Sequence, residues 1–235
     1  MSAPNPGAIV TVPEVAVIDE VRDEIEDVRT FYFSFERPET ARSFRVKSGQ
    51  FVMCTVFGAG EFAVSLPFSP ENDRLHLSVR QVGKVTRALH ELKAGDKIGI
   101  RGPFGNGFPF EAIKGKNVVY VAGGIGLIPL RSSIVHVLQH RRDFGRIILI
   151  YGSRSSKELM YRDMIEQWKA TEGFETYFTI DRPEPGWTGP VGFVHTLVGP
   201  AQVPVENTVA FVCGPPLMFN SVIKELLVTG LKDEA

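Results

Sequence analysis

Cysteine is scarce in this chain of 235 residues: there are two, Cys54 and Cys213, far apart and in unlike surroundings. A disulfide framework is therefore not expected, and a reducing compartment, the cytoplasm, is the expected setting. Two thiols are also too few to ligate an ordinary iron–sulfur cluster, so no such cluster is expected within the chain as given. Long apolar runs are lacking as well. No stretch approaches the roughly twenty residues of a membrane span, and the opening Met1–Gly7 carries no secretory h-region, so no membrane insertion is expected. An excess of charge of either sign is missing too, with 26 Lys and Arg against 27 Asp and Glu. That balance gives no general electrostatic case for binding nucleic acid, while leaving room for a local basic patch that meets phosphate.

What is present falls into two rhythms. Up to about Ala112 the chain shows short apolar or alternating runs: Val12–Ile18, Val28–Phe35, Phe51–Val56, Leu75–Arg80 and Lys97–Arg101. Gly, Pro, Asn and Asp punctuate them, and one helical segment, Val85–Leu92, interrupts. Several short strands with a single helix predict a small closed barrel. Phe31, Phe33 and Phe35 recur at period two and are expected to line its buried face. From Gly115 onward strand and helix alternate four times. The strands are Val118–Ala122, Arg146–Tyr151, Phe174–Ile180 and Thr208–Cys213. The helices are Ile128–Arg142, Lys157–Lys169, a short one near Gly192–Leu197, and Leu217–Val228. This pattern predicts a parallel sheet covered on both faces. The expected domains are thus 1–112 and 113–235, a β-barrel followed by a Rossmann-like α/β domain.

Two strand ends carry the chemical interest. The run Asn117–Ala122 stops at Gly123, Gly124 and Gly126 before a helix, with Pro129 in that helix's first turn, where a missing N–H costs nothing. Without side chains there, a pyrophosphate can approach the backbone and the positive end of the helix dipole. Tight turns also use glycine purely for packing. The second is Phe211–Cys213 followed by Gly214, Pro215 and a helix. A lone cysteine here reads as a small hydrophobe. With the glycine turn, the two place a ligand at the carboxyl ends of neighbouring parallel strands. In the barrel half, Leu77–Arg80 leads through Gln81 and Val82 to Gly83, Lys84, Val85 and Thr86 at a helix start. The amides of Val85 and Thr86 would face an anion. The Thr86 hydroxyl can bond a phosphate or cap the helix, and those roles compete. Arg80 and Lys84 offer positive charge or are simply solvated. His136 and His140, at i and i+4, read as structural rather than as half a metal site.

These motifs resemble the ferredoxin–NADP reductase superfamily, over nearly the whole chain. Within it they are most similar to the flavin- and NAD(P)-binding electron-transfer subunits of dihydroorotate dehydrogenase, anaerobic sulfite reductase and sulfhydrogenase. The resemblance implies a Greek-key flavin-binding β-barrel ahead of the nucleotide domain, FAD rather than FMN, and NAD(H) or NADP(H). It implies that Phe62, Ala63, Val64 and Ser65 border the flavin, with the Ser65 hydroxyl reaching N5, the atom that accepts hydride. The alternative for Ser65 is a hydroxyl that bonds its own backbone. Phe62 stands where the family carries an arginine and Val64 where it carries a ring-stacking tyrosine. The segment Val79, Arg80, Gln81, Gly83, Val85 and Thr86 would hold the FAD pyrophosphate. Cys213, with Gly214 and Pro215, would lie against the nicotinamide. Ser153 and Arg154, with Lys157, would meet the adenosine ribose, where guanidinium and hydroxyl groups suit a 2′-phosphate. That tilts the expectation slightly toward NADPH and leaves the choice open. The implied activity is electron transfer between NAD(P)H and an iron–sulfur partner protein. The competing reading is a docking or regulatory subunit that keeps the fold without flavin or nucleotide turnover.

Overall fold

The computed structural model describes residues 12–66 and 74–232. They divide into two compact units at Gly107/Phe108, the short stretch Glu24–Glu26 grouping with the second. The opening Met1–Gly7 lies outside the described residues.

The first unit holds strands β1 (Glu14–Ile25), β2 (Val28–Phe35), β3 (Phe51–Val56), β4 (Gly60–Ser65), β5 (Leu75–Arg80) and β6 (Lys97–Phe104). They form one sheet in the order β4-β3-β6-β1-β2-β5. Neighbours β1/β6, β2/β5, β3/β4 and β3/β6 pair antiparallel. The two ends of that order, β4 and β5, lie beside each other, so the sheet curls into the expected barrel. Its interior follows the period-two pattern: Phe31, Phe33 and Phe35 are buried with Val52, Cys54, Leu77 and Ile98. Each large apolar side chain removed from water there contributes about 1.5–3 kcal/mol. Helix α2 (Lys84–His90) packs onto this barrel through Leu89. A second helix, α1 (Pro38–Ser43), was not expected. None of its residues is buried, so it carries no apolar periodicity to read.

The second unit comprises β7 (Asn117–Gly123), α3 (Leu127–Gln139), β8 (Ile147–Ser153), α4 (Arg162–Lys169), β9 (Phe174–Ile180), β10 (Thr208–Cys213) and α5 (Pro216–Val228). The sheet order is β10-β7-β8-β9, and all three ladders are parallel. Central strands β7 and β8 are buried on both faces, which is why they read as unbroken apolar runs. One face packs Leu127, Ile134, Ile165 and Trp168 against the sheet. The other packs Val194, Leu197, Val222 and Leu226. The helix expected over Lys157–Lys169 is broken. A single 3₁₀ turn at Ser156–Glu158 precedes α4, and Tyr161 takes φ 55° before it. The Met160 amide donates to the Tyr151 hydroxyl of β8 at 3.2 Å, so the chain is held to the sheet where a continuous helix would lift away.

Candidate functional site

The parallel unit brings its two motif turns together through glycine. Cys213 is in register with Ala122, so the strands end side by side. A Cβ on Gly126 would overlap the carbonyl of Cys213, and one on Gly123 would overlap the Met218 sulfur. A Cβ on Gly214 would stand 2.7 Å from the same Met218 side chain. These three glycines therefore allow the close approach of the two turns. Gly124 behaves differently. It has φ +54°, and nothing stands within 4 Å of where a Cβ would be. The Leu127 amide bonds back to Gly124 and Ile125, while earlier amides precede the first turn of the thirteen-residue α3. An open glycine in front of helix amides at a strand's carboxyl end fits a pyrophosphate.

Beside it, Cys213 is half-buried and its neutral form is favoured, because burial pushes the thiol up. It is held there by packing against the core that contains Tyr120 and Phe211. The thiol is thus a shape-filling group at the strand end and carries no negative charge near neutral pH. Cys54, by contrast, is fully buried inside the barrel with its thiol pushed up to about 12, and only packs.

Across the sheet, Gly123 pairs with Gly152, which places Ser153 and Arg154 one step beyond the glycine turn. The Ser153 hydroxyl is buried and donates to the Ser155 carbonyl at 2.6 Å. The Arg154 Nε donates to Glu158 at 2.9 Å. Lys157 is exposed. Trp187 donates its indole N–H to the Pro190 carbonyl at 2.9 Å and so closes its own loop.

In the barrel unit, the Thr86 hydroxyl accepts from the amides of Val82 and Gly83, both at 2.9 Å. Of its two competing roles, the cap is the one made. The amides of Lys84, Val85 and Thr86 precede the first intrahelical bond, Arg87 to Gly83, and a Cβ on Gly83 would meet nothing within 4 Å. Lys84 is exposed at this end, whereas Arg80 is tied to Asp27 at 2.6 Å. Val79 is buried in the barrel core and its carbonyl meets His90 Nε2 at 2.9 Å. Gln81 is exposed, its amide bonded to Asp27. On β4, Phe62 and Val64 pack on the barrel core, and Ala63 is on the opposite, exposed face. Ser65 is half-buried, and among the described residues its hydroxyl has no hydrogen-bond partner. It is not spent on its own backbone. An open Gly83, free helix amides, a nearby lysine and an unspent serine fit a flavin nucleotide. Finally, His136 stacks on Phe110 with ring centres 3.7 Å apart and His140 stacks on His136 at 4.4 Å, a packed column on the surface of α3.

Comparison with known proteins agrees with these two halves. Residues 16–108 match the oxidoreductase FAD-binding domain and residues 120–224 the oxidoreductase NAD-binding domain. The chain is 36% identical over 228 residues to the sulfhydrogenase 2 subunit gamma of Pyrococcus furiosus, covering 92% of this chain and 79% of that protein. It is 35% identical over 213 residues to the sulfhydrogenase 1 subunit gamma of the same organism, covering 89% and 73%. Among solved structures, the cytochrome b5 reductase domain of Ulva prolifera nitrate reductase superposes with a TM-score of 0.80, covering 98% of both chains at 22% identity, a likeness of fold. A cytochrome P450 reductase from Amycolatopsis gives a TM-score of 0.78 at 26% identity, covering 99% of this chain and 71% of that one.

Proposed function

Because the chain belongs to the FAD- and NAD(P)-binding oxidoreductases that include the sulfhydrogenase gamma subunits, we propose that it relays electrons between NAD(P)H and an iron–sulfur protein within a larger assembly, in the cytoplasm. The observation that carries this reading is the packing of Gly126 on the Cys213 carbonyl. It brings the glycine turn and the cysteine strand end side by side, with Gly124 open in front of α3.

Bound FAD supplies the chemistry, converting two-electron exchange with a nicotinamide into single-electron transfer. The protein's share is binding and orientation. Lys84 and the first amides of α2 hold the flavin's phosphates, with Thr86 keeping that turn closed. Ser65 offers its hydroxyl to the flavin ring, while Phe62 and Val64 on the other face of that strand pack onto the barrel core and supply neither a charged clamp nor a stacked aromatic ring. Gly124 and the α3 amides hold the pyrophosphate of NAD(P)H. Cys213, Gly214 and Pro215 shape the nicotinamide pocket, the neutral thiol excluding water without acting as a nucleophile.

A partner is supported by the relatives, which are named as subunits, and by the surface. β10 is an outer strand whose six residues are all half-exposed and uncharged, and an outer strand without charges is poorly protected from association. Next to it in sequence, α5 exposes Leu217, Ile223, Leu227 and Val228. Contiguous exposed apolar side chains mark interaction surfaces. Equilibrium dialysis against FAD, followed by NAD(P)H-driven reduction of a one-electron acceptor with and without a ferredoxin-type partner, tests the proposal. FAD retention with partner-stimulated transfer is expected. Failure to retain FAD would favour the docking-subunit reading.

A further inference from the structure

The strand end that follows β8 decides which nicotinamide nucleotide suits the site. In doubly wound sheets a group near this position meets the adenosine ribose: a carboxylate accepts from the bare 2′-hydroxyl, and an arginine accommodates a 2′-phosphate. Here the arginine is present, yet its environment is acidic. Arg154 is bound to Glu158 at 2.9 Å. The amide of Ser156 donates to Glu184 Oε1 at 3.0 Å. The amide of Asp181 donates to the Ser153 carbonyl at 3.0 Å, which seats that aspartate beside the end of β8. Asp181 is half-buried, and burial together with the nearby Glu158 charge holds its carboxyl above the ordinary range. The Ser153 hydroxyl is spent on the Ser155 carbonyl. A phosphate dianion arriving here finds its arginine and serine already engaged and meets the charge of Glu158 and Asp181. The exposed cations Lys157 and Arg182 on the same segments temper that repulsion.

We propose that this site prefers NAD(H) over NADP(H), and that Glu158 sets the preference by holding the Arg154 guanidinium. The inference rests on the nucleotide-site reading above and goes beyond it by choosing the ligand and naming the residue responsible. Glu158 acts through Arg154 and is a positioning residue. The Arg154 side chain is 67% exposed, so solvent screens the pair and the preference is a matter of degree.

Calorimetric titration of the full-length chain with NAD⁺ and with NADP⁺ tests this without relying on turnover. The wild type is expected to bind NAD⁺ about tenfold more tightly. Glu158→Gln should strengthen NADP⁺ binding by about tenfold and leave NAD⁺ within about twofold, since only the dianion meets the change. Adding Arg154→Gln to that variant should cancel the gain. Asp181→Asn, which leaves the Arg154 pair intact, should move the ratio in the same direction by less. Wild-type affinity for NADP⁺ equal to or above that for NAD⁺ would overturn the proposal. So would a Glu158→Gln effect that shifts both nucleotides by the same factor, the mark of a merely structural role. Absence of binding for either nucleotide would instead overturn the underlying site assignment.

Discussion

Each unit contains a strand that runs through glycine into a helix, and the two turns are built on opposite plans. In the barrel turn a side chain does the closing: Thr86 reaches back to the amides of Val82 and Gly83, and a Cβ on Gly83 would meet nothing within 4 Å. In the parallel unit no side chain closes the turn. Gly123 and Gly126 let it press against Met218 and the Cys213 backbone, and Gly124 alone is open. A glycine in a phosphate-binding motif can thus be there for the ligand or for the neighbouring strand. Neighbouring positions in one motif answer that differently.

The sharpest test of this contrast lies between two glycines of one turn, Gly124 and Gly126. Gly126→Ala should destabilise the protein by about 3 kcal/mol, because the collision is with backbone that cannot swing aside. Gly124→Val should lose NAD⁺ affinity by at least about tenfold, since its side chain would fill the open face and oppose the left-handed conformation. FAD binding should be retained. Thermal melts and calorimetry of the two variants separate the outcomes, and similar melting losses in both would erase the distinction. In the barrel turn the expected effect is smaller. Thr86→Val should cost about 1 kcal/mol of stability through the lost cap, with a matching fall in FAD affinity, and Thr86→Ser should restore both. A Thr86→Val protein that loses FAD without losing stability would give the hydroxyl to the phosphate rather than to the cap.

The neighbour of the glycine turn offers the next comparison. Cys213→Ala should leave FAD bound and slow flavin reduction by about tenfold through looser nicotinamide alignment, and Cys213→Ser should be milder. Rates unchanged in both would reduce Cys213 to core packing. Because burial raises the thiol, Cys213 stays protonated as pH climbs through the ordinary thiol range, and the reactive thiolate forms only above it. Iodoacetamide should therefore modify the native protein near pH 8 more slowly than it does a free cysteine. Rapid alkylation of Cys213 measured by peptide mass would contradict the neutral-thiol account.

Much of this was legible in the sequence where local chemistry and fold agree. Val28–Phe35, Phe51–Val56, Leu75–Arg80, Phe174–Ile180 and Thr208–Cys213 appear as strands over the expected residues, since β-branched and aromatic runs between turn residues leave little choice. That the Gly124 turn and Cys213 end neighbouring parallel strands was also readable, although two strands separate them in the chain, because both apolar runs stop at small residues before a helix. What escaped depends on partners distant in sequence or on special backbone. Nothing in Gly126 itself announces the Cys213 carbonyl. Nothing in Tyr161 announces its left-handed conformation, after which the expected helix begins late, at Arg162. The engagement of Arg154 had a visible sign, since Glu158 follows it at i+4, yet Asp181 and Glu184 arrive from another strand end.

The central claim, that this chain draws electrons from a nicotinamide through its own flavin, is tested most directly by anaerobic titration. The purified protein is loaded with FAD, freed of excess cofactor and treated with NADH while the flavin's visible absorption is followed. The account predicts that the yellow band bleaches with close to one equivalent of NADH in the absence of any partner, and that air restores it. A protein that holds FAD firmly yet shows no bleaching with either NADH or NADPH would contradict it.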